Sequence, residues 1–110
     1  MAQRIVSQSI AAGATFDALD DWQYQYANKS GWLKINDRAT AVGLLRTVSA
    51  TDRNLSQEGP VPAGGTAGQT PTDFNSPPLV AKVKKGERLS IKYRNPTGGA
   101  ITVDVVVELR

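Results

Sequence analysis

The sequence contains no cysteine and no histidine among its 110 residues. Without cysteine the chain can form neither a disulfide nor a thiolate metal site. Without histidine it lacks the usual general base, the commonest metal ligand and the side chain that titrates near neutral pH. We therefore expect no enzymatic activity, no metal site and no bound cofactor. Because small secreted domains are often cross-linked, the missing cysteines favour assembly in a reducing cytoplasm or stabilisation by association.

Long hydrophobic runs are also missing. No stretch approaches the roughly 20 apolar residues of a membrane-spanning helix, and residues 1–10 contain no apolar run long enough for a signal peptide. From the sequence we expect a soluble protein with no membrane partner and no standard secretory leader. The length predicts one domain with a single small core.

Acidic residues are scarce in the C-terminal third. Residues 1–78 carry six basic and seven acidic side chains, whereas residues 79–110 carry seven basic and three acidic ones, so the net charge of +3 arises in the second segment. We predict that four of these cations share the outward face of two neighbouring strands: Lys82, Lys84, Lys92 and Arg94. Such a basic face suits single-stranded nucleic acid or an acidic protein surface, and it is equally typical of a solvated strand face.

The same third of the chain carries the strongest structural pattern. Apolar and polar residues alternate over residues 89–94 and again over residues 101–109. Alternation with a period of two predicts β-strands with one buried face. Turn-forming residues fill the interval 95–99, and the two runs therefore predict a β-hairpin.

Val106 departs from this alternation, because it is apolar on the face that should be outward. A strand that is apolar on both faces is usually covered on both faces. The sequence predicts that either the long loop or a neighbouring subunit supplies this cover. Val106 is therefore our candidate subunit contact, and it favours an oligomer.

Further strands are predicted upstream of this region. Aromatic residues alternate over residues 22–26, which are expected to form a hairpin with residues 32–35, ended by Asn36-Asp37. Residues 39–49 predict one or two short strands, and residues 79–83 predict another. About seven or eight short strands joined by Gly, Pro and Asn turns predict an all-β, single-domain β-sandwich of jelly-roll or Greek-key type.

Two segments of the chain, an internal loop and the N-terminus, are predicted to be less regular than these strands. Residues 57–78 contain five of the six prolines and four of the ten glycines, which predicts a long loop within the sandwich domain, residues 13–110. The loop is either a crossover between two sheets or a segment that becomes ordered against a partner. Residues 1–12 are expected to be an N-terminal arm or a first strand.

Two binding functions follow from the aromatic residues. With the basic face, Trp22, Tyr24 and Tyr26 could form the stacking platform of a single-stranded nucleic-acid-binding β-barrel. Aromatic residues on an alternating strand usually belong to the core, however, so we do not expect nucleic acid as a partner. A carbohydrate-binding module would use Trp22, Tyr24 or Trp32 as a sugar platform.

The C-terminal pattern resembles the ending of small tailed-phage capsid decoration, or cement, proteins. The shared features are a Pro-rich segment, a strand, a glycine with a charged neighbour, an alternating strand closing in Arg-Asn, a glycine turn and a Val-rich last strand: Pro77-Pro78, residues 79–83, Gly86-Glu87, residues 89–93, Arg94-Asn95, Gly98-Gly99 and residues 101–109. Residues 10–16 likewise resemble the strand and Ala-Gly corner of these β-sandwich proteins.

The resemblance implies a jelly-roll structural protein of the virion surface, made in the host cytoplasm, that stabilises an icosahedral phage capsid. The implied partner is the major capsid protein, and the implied assembly is a homo-oligomer, with a trimer favoured. It implies no catalytic residue. The candidate capsid contacts are the loop 57–78 and the N-terminal residues Arg4, Ile5 and Val6.

Overall fold

The computed structural model describes residues 2–19, 31–51, 53–64, 71 and 78–109. These residues form eight β-strands: β1 Ala2–Ile10, β2 Thr15–Asp17, β3 Gly31–Ala39, β4 Leu45–Ala50, β5 Arg53–Pro60, β6 Leu79–Val83, β7 Ser90–Arg94 and β8 Ile101–Leu109. The all-β prediction is confirmed. In the described ranges no helix is long and apolar enough to cross a bilayer. The strand predicted over residues 22–26 lies outside the described residues.

The strands pair as a long hairpin that has been rolled onto itself. β1 pairs with β8, β2 with β7, β3 with β6 and β4 with β5, each time antiparallel. Contacts of β3 with β8 and of β4 with β7 then join these pairs into two sheets. The first sheet has the order β1-β8-β3-β6 and the second the order β2-β7-β4-β5. This wiring is a jelly roll, so the predicted sandwich is confirmed.

The core lies between the two sheets and follows from the alternation of each strand. From the first sheet, Ile35, Val103 and Val105 point inward and are almost completely buried, and from the second sheet Val48 and Ile91 meet them. Each such side chain contributes about 1.5–3 kcal/mol through its removal from water. The alternate residues of the same strands form the outward faces of the sandwich.

The predicted C-terminal hairpin is wrong, although both of its strands exist. β7 belongs to the second sheet and β8 to the first, and no ladder joins them. Residues 95–100 therefore form a corner that carries the chain from one sheet to the other. The alternation of residues 89–94 and 101–109 indicates that each strand has one buried face, but it does not indicate which strands are neighbours in a sheet.

Residues 2–10 form the first strand of the sandwich rather than a free arm. They pair with β8 without interruption, from Ala2 opposite Leu109 to Ile10 opposite Ile101. A segment held by a continuous ladder cannot extend over a neighbouring protein without breaking the sheet.

The loop predicted over residues 57–78 begins later than expected, because β5 continues through Pro60, which pairs with Leu45. Just beyond the strand, the Val61 amide donates to a carbonyl of the β3–β4 connection at 3.0 Å. The Pro62 carbonyl accepts from the amide of Ala39 at 2.7 Å. The start of the crossover from the second sheet to the first is thus fixed to the sandwich.

Asn95 holds two corners together at one end of the sandwich. Its side chain is completely buried. Its Nδ2 donates to the carbonyl of Ile10 at 2.9 Å and to that of Gly99 at 2.8 Å. Its Oδ1 accepts from the amide and from the hydroxyl of Thr97, at 3.1 and 2.6 Å. The backbone carbonyl of Asn95 accepts from the amide of Gly13, so the β7–β8 corner is attached to the β1–β2 corner.

The β3–β4 turn packs against the same end of the molecule. Gly43 adopts a φ of +115°, in a region of backbone conformation that residues with a Cβ rarely adopt. A Cβ added to Gly43 would lie 2.5 Å from Cγ2 of Thr97. Both the backbone angle and the close approach therefore require glycine here.

Candidate functional site

The outer face of the first sheet is the side that points away from the second sheet. Strand register defines it, because residues directly opposite each other in an antiparallel pair point to the same face. Val106 in the middle of the sheet lies opposite both Ile5 and Asn36. By register, the outer face consists of Gln3, Ile5, Ser7, Ser9, Trp32, Lys34, Asn36, Arg38, Val80, Lys82, Thr102, Asp104, Val106 and Glu108.

Exposed apolar side chains are concentrated on this outer face. Ile5 is 61% exposed, Trp32 47% and Val80 50%, and the one other exposed large apolar residue in the described chain is Val42 in the β3–β4 turn. Trp32 and Val80 are diagonal neighbours on β3 and β6, because Val80 faces Lys34 in the ladder. Trp32 and Val80 are thus adjacent exposed apolar side chains, whereas Ile5 lies on β1 at the opposite margin of the sheet. Contiguous exposed apolar surface marks interaction sites.

A cation accompanies the exposed indole. Lys82 lies directly opposite Trp32 in the β3–β6 ladder, and its Nζ is 5.2 Å from the centroid of the indole ring. A cation–π contact at an exposed site is worth about 0.5–1 kcal/mol. We call Trp32, Val80 and Lys82 the Trp32 corner, since they combine an aromatic ring, an aliphatic side chain and a positive charge at one margin of the outer face.

The middle of the outer face is covered within the single chain. Val106 keeps only 6% of its surface exposed, and Asn36 and Asp104 are buried as well. The prediction that a strand apolar on both faces is covered on both faces therefore agrees with the structure. The choice of Val106 as a subunit contact finds no support, because the side chain offers almost no area to another molecule. Its neighbour Ile5 does offer such area.

Opposite charges face each other across the outer face. Lys34 lies opposite Glu108, and Arg38 lies opposite Asp104. Cross-strand pairs of opposite charge stabilise a sheet by a few tenths of a kcal/mol to about 1 kcal/mol. The centre of the face is thus charge-balanced, and Lys82 is a further cation at the Trp32 corner.

The three candidate capsid contacts of β1 do not share a face. Ile5 lies on the outer face, whereas Arg4 and Val6 lie opposite Val107 and Val105 on the side that turns toward the second sheet. Arg4 and Val6 are half-buried there. Of the three, only Ile5 is presented to a partner by the outer face.

The predicted basic face is divided by the fold. Lys82 belongs to β6 in the first sheet, and Lys92 and Arg94 belong to β7 in the second. Lys84 lies in the connection between them. The two strands are neighbours in sequence, but the β6–β7 connection crosses the sandwich, so their outward faces point in opposite directions. The expectation of one shared cationic surface is therefore wrong.

Arg94 has an acidic partner on the second sheet. Nη2 and Nε of Arg94 donate to the two carboxylate oxygens of Glu58, at 2.6 and 2.9 Å. This hydrogen bond lowers the pKa of Glu58 and raises the pKa of Arg94. Both groups are exposed, so the pair contributes little to stability, but it reduces the charge available to a nucleic-acid backbone.

A polar depression of about 500 Å³ lies on the outward side of the second sheet, lined by Asp17, Ser49, Ala50, Thr51, Arg88, Ser90 and Lys92. The Asp17 carboxylate accepts from the Ser90 hydroxyl at 2.9 Å and from the Leu19 amide at 3.0 Å. The amide of Arg88 donates to the Thr51 hydroxyl at 2.8 Å. These bonds fix the rim. They pair the serine with a carboxylate but supply no imidazole to relay its proton.

Metal-ligating side chains are not gathered in the described ranges, where no group of three Asp or Glu residues could hold an ion. The described surfaces present apolar side chains, charged groups and hydrogen-bonding groups. The outer face of the first sheet carries three of the four exposed large apolar side chains of the described residues, and we take it as the candidate functional site.

A buried ionic cluster joins the two sheets behind this face. Asp37 of β3 is completely buried, and Nη1 of Arg46 lies 2.6 Å from each of its carboxylate oxygens. The Tyr93 hydroxyl donates to Oδ2 of Asp37 at 2.7 Å. Because Arg46 and Tyr93 are opposite each other in the second sheet, this Asp37 clamp links strands of both sheets.

The clamp was not found from the sequence. Asn36-Asp37 reads as a strand end, yet β3 continues to Ala39. The strand passes through because the Asp37 charge has a partner in Arg46. The available signal was periodicity, since Asp37 occupies the inward position that follows Leu33 and Ile35.

The buried phenol predicts a dependence of stability on alkaline pH. Burial first, and then the Asp37 carboxylate, raise the pKa of Tyr93 well above its ordinary value. Above about pH 10 the unfolded phenol loses its proton while the folded one keeps it. The unfolded state then binds fewer protons than the folded state. The stabilising contribution of the Tyr93 phenol is therefore fully present below pH 10, and above pH 10 the free energy of unfolding falls by up to about 1.4 kcal/mol per pH unit.

Urea unfolding of the natural chain and of Tyr93→Phe at pH 8, 10 and 11 tests this dependence. We expect Tyr93→Phe to be less stable at pH 8, since it loses the hydrogen bond to Asp37. Its stability should fall less steeply between pH 10 and 11 than that of the natural chain. Parallel pH profiles would contradict the assignment, because all other tyrosines are common to both chains.

Comparison with known proteins gives no match to a family model, to a curated protein or to a solved structure. Jelly rolls occur in viral capsid proteins, lectins and cupins, so the fold alone does not select a function. The exposed side chains of the sandwich must discriminate among these uses.

Proposed function

We propose that this chain is a structural virion protein that decorates an icosahedral phage capsid and cements neighbouring major capsid subunits. The observation that carries the proposal is the Trp32 corner, where exposed apolar side chains and a cation lie together at one margin of the outer face of a jelly roll. It adds to the resemblance of the C-terminal strands to capsid decoration proteins. The absence of histidine and cysteine fits a protein that works by binding rather than by catalysis.

The mechanism is physical. The Trp32 corner docks on an acidic and apolar patch of the major capsid protein, where the indole is removed from water and Lys82 meets a carboxylate. A single contact of this size is weak. Copies that oligomerise and bind equivalent sites of the shell gain affinity through effective concentration, and a bound copy that spans two capsid subunits resists their separation.

The first test is binding of the purified chain to shells assembled without it. We expect saturable binding, and we expect Trp32→Ala to weaken it by roughly 30-fold, which corresponds to the 2 kcal/mol typical of a buried aromatic anchor. Val42→Ala is the matched control, because Val42 is 82% exposed in a turn outside the outer face. Unchanged binding of Trp32→Ala, or equal losses in both variants, would exclude the Trp32 corner as the contact.

A carbohydrate-binding module is the second candidate, because Trp32 is an exposed aromatic side chain on a jelly-roll sheet. Lys82 lies over the indole ring, so a sugar would have to stack on the remaining ring face. Binding to a glycan array that is lost in Trp32→Ala, with no binding to shells, would favour this function. The nucleic-acid alternative is weakened by the division of the basic residues between two sheets, and a salt-dependent shift of a labelled oligonucleotide would restore it.

A further inference from the structure

The jelly roll has four edge strands, and they differ in how their open sides are protected. Within the described chain, β1 and β6 flank the first sheet and β2 and β5 flank the second. An edge strand presents unpaired amides and carbonyls to any other strand. Proteins prevent unwanted pairing with short edges, prolines, bulges or charged side chains.

Three of the four edges carry such devices. β2 is only three residues long. β6 has five residues, follows Pro78 and carries Lys82 on the outer face. β5 ends in Pro60, and its register against β4 shifts twice, between Arg46 and Val48 and between Val48 and Ser49. None of these strands offers a long regular ladder to a partner.

β1 is different. It has nine residues without proline or lysine, and its register with β8 has no irregularity from Ala2 to Ile10. Its single charge, Arg4, lies on the face toward the second sheet. The Nε of Arg4 is buried and has no hydrogen-bond partner among the described residues. On the outer face, Ile5 is 61% exposed.

We propose that β1 pairs antiparallel with β1 of a second copy of this chain, across a two-fold axis at Val6. This register engages all nine residues of both strands and extends the first sheets into one continuous sheet of eight strands. Arg4 then lies opposite the partner's Gln8, and Ile5 lies opposite the partner's Ser7. No like charges face each other, and the contact is isologous, as two-fold symmetry requires.

The pairing also provides contacts for two side chains of β1, the Arg4 guanidinium, whose Nε lacks a hydrogen-bond partner among the described residues, and the exposed Ile5. Gln8 of the partner brings an amide oxygen to the side of the sheet where the Arg4 Nε lies. The two copies of Ile5 become diagonal neighbours across the axis, within the reach of side chains on paired strands. The resulting assembly is a dimer, which differs from the trimer that the resemblance implies.

The oligomeric state of the full chain in solution tests this pairing, by sedimentation equilibrium over a concentration series. We expect a dimer, and we expect Ile5→Lys with Ser7→Lys to raise its dissociation constant at least tenfold, because four added charges meet near the axis. The control is Val42→Lys with Ala100→Lys, which places the same charges at exposed loop positions. A natural chain that is monomeric or trimeric, or a dimer that the β1 variant leaves unchanged, would overturn the proposal.

Disulfide trapping tests the register and remains informative if the charged variant fails to fold. The chain has no cysteine, so each introduced thiol is unique. Val6→Cys places two thiols on strands whose Cα atoms are about 4.5–5.5 Å apart, within the range of a disulfide. Ser9→Cys separates its two copies by roughly 20 Å along the strands.

We expect covalent dimers on mild oxidation from Val6→Cys and not from Ser9→Cys. Equal cross-linking of both variants, or none of Val6→Cys, contradicts the register. A strand of another protein at this edge would leave the purified chain monomeric. Neither experiment uses capsid shells, so failure of the proposed function would leave this result intact.

Discussion

Replacing Asp37 with alanine is expected to lower the free energy of unfolding by about 3–5 kcal/mol, because it leaves the Arg46 guanidinium buried without its counter-charge. The Arg46 side chain is only 15% exposed, and Nη1 donates to both oxygens of the Asp37 carboxylate. The Tyr93 hydroxyl loses its acceptor in the same variant. Because small domains are stable by about 5–15 kcal/mol, this loss is a large part of the total.

Urea unfolding at pH 7 measures the effect, and two further variants identify its cause. Glu58→Gln removes the carboxylate of an exposed ion pair with Arg94, and we expect it to leave the unfolding midpoint nearly unchanged. The triple variant Asp37→Leu, Arg46→Met and Tyr93→Phe replaces the clamp with apolar side chains and should recover most of the lost stability. A loss below 1 kcal/mol in Asp37→Ala, or no recovery in the triple variant, would show that an unpaired buried charge is not the cause.

Hydrophobic periodicity predicted where strands lie better than it predicted their partners. Residues 101–109 were expected to form a strand with an inward apolar face, and β8 has that face. The sheet neighbours of β8 are β1 and β3, the first of them about a hundred positions away in the sequence. Alternation records only which side of a strand is buried, and nothing local in residues 95–100 distinguishes a hairpin turn from a corner between sheets.

The candidate site shows the same limit. The sequence identified Trp32 and Lys82 as exposed candidates for separate reasons, but only the β3–β6 ladder places the cation over the ring. The sequence also predicted that Lys92 and Lys82 share one face, because the two residues lie on consecutive strands. In this jelly roll β6 belongs to the first sheet and β7 to the second. Residues that are close in sequence on these two strands therefore lie on opposite sides of the core.

Asp37 illustrates why local rules fail at buried polar positions. An Asn-Asp pair favours a turn when its side chains satisfy the nearby backbone. Here the carboxylate instead satisfies an arginine and a tyrosine from the second sheet. That alternative depends on residues 46 and 93, which a local reading cannot bring next to position 37.

The second large effect is expected at the corner that carries β7 into β8. Asn95→Ala removes four hydrogen bonds that the buried side chain makes with Ile10, Gly99 and Thr97. At about 1 kcal/mol for each net bond, we expect the free energy of unfolding to fall by about 3–4 kcal/mol. The loss has a structural reason: Asn95 fixes the end of β1 to the corner that leads into β8, and these two strands form the longest ladder of the first sheet.

Asn95→Asp separates the role of the two polar atoms in this corner. The substitution keeps the oxygen that accepts from Thr97, but it places a second oxygen against the carbonyls of Ile10 and Gly99, where a donor is needed. We expect it to be at least as destabilising as Asn95→Ala at pH 7 and less so at pH 3, since a protonated carboxyl can donate. Asn54→Ala, at an exposed position of β5, is the matched control and should leave urea unfolding unchanged. Equal stabilities of Asn95→Asp at the two pH values, each compared with the natural chain, would mean that donation to these carbonyls does not hold the corner.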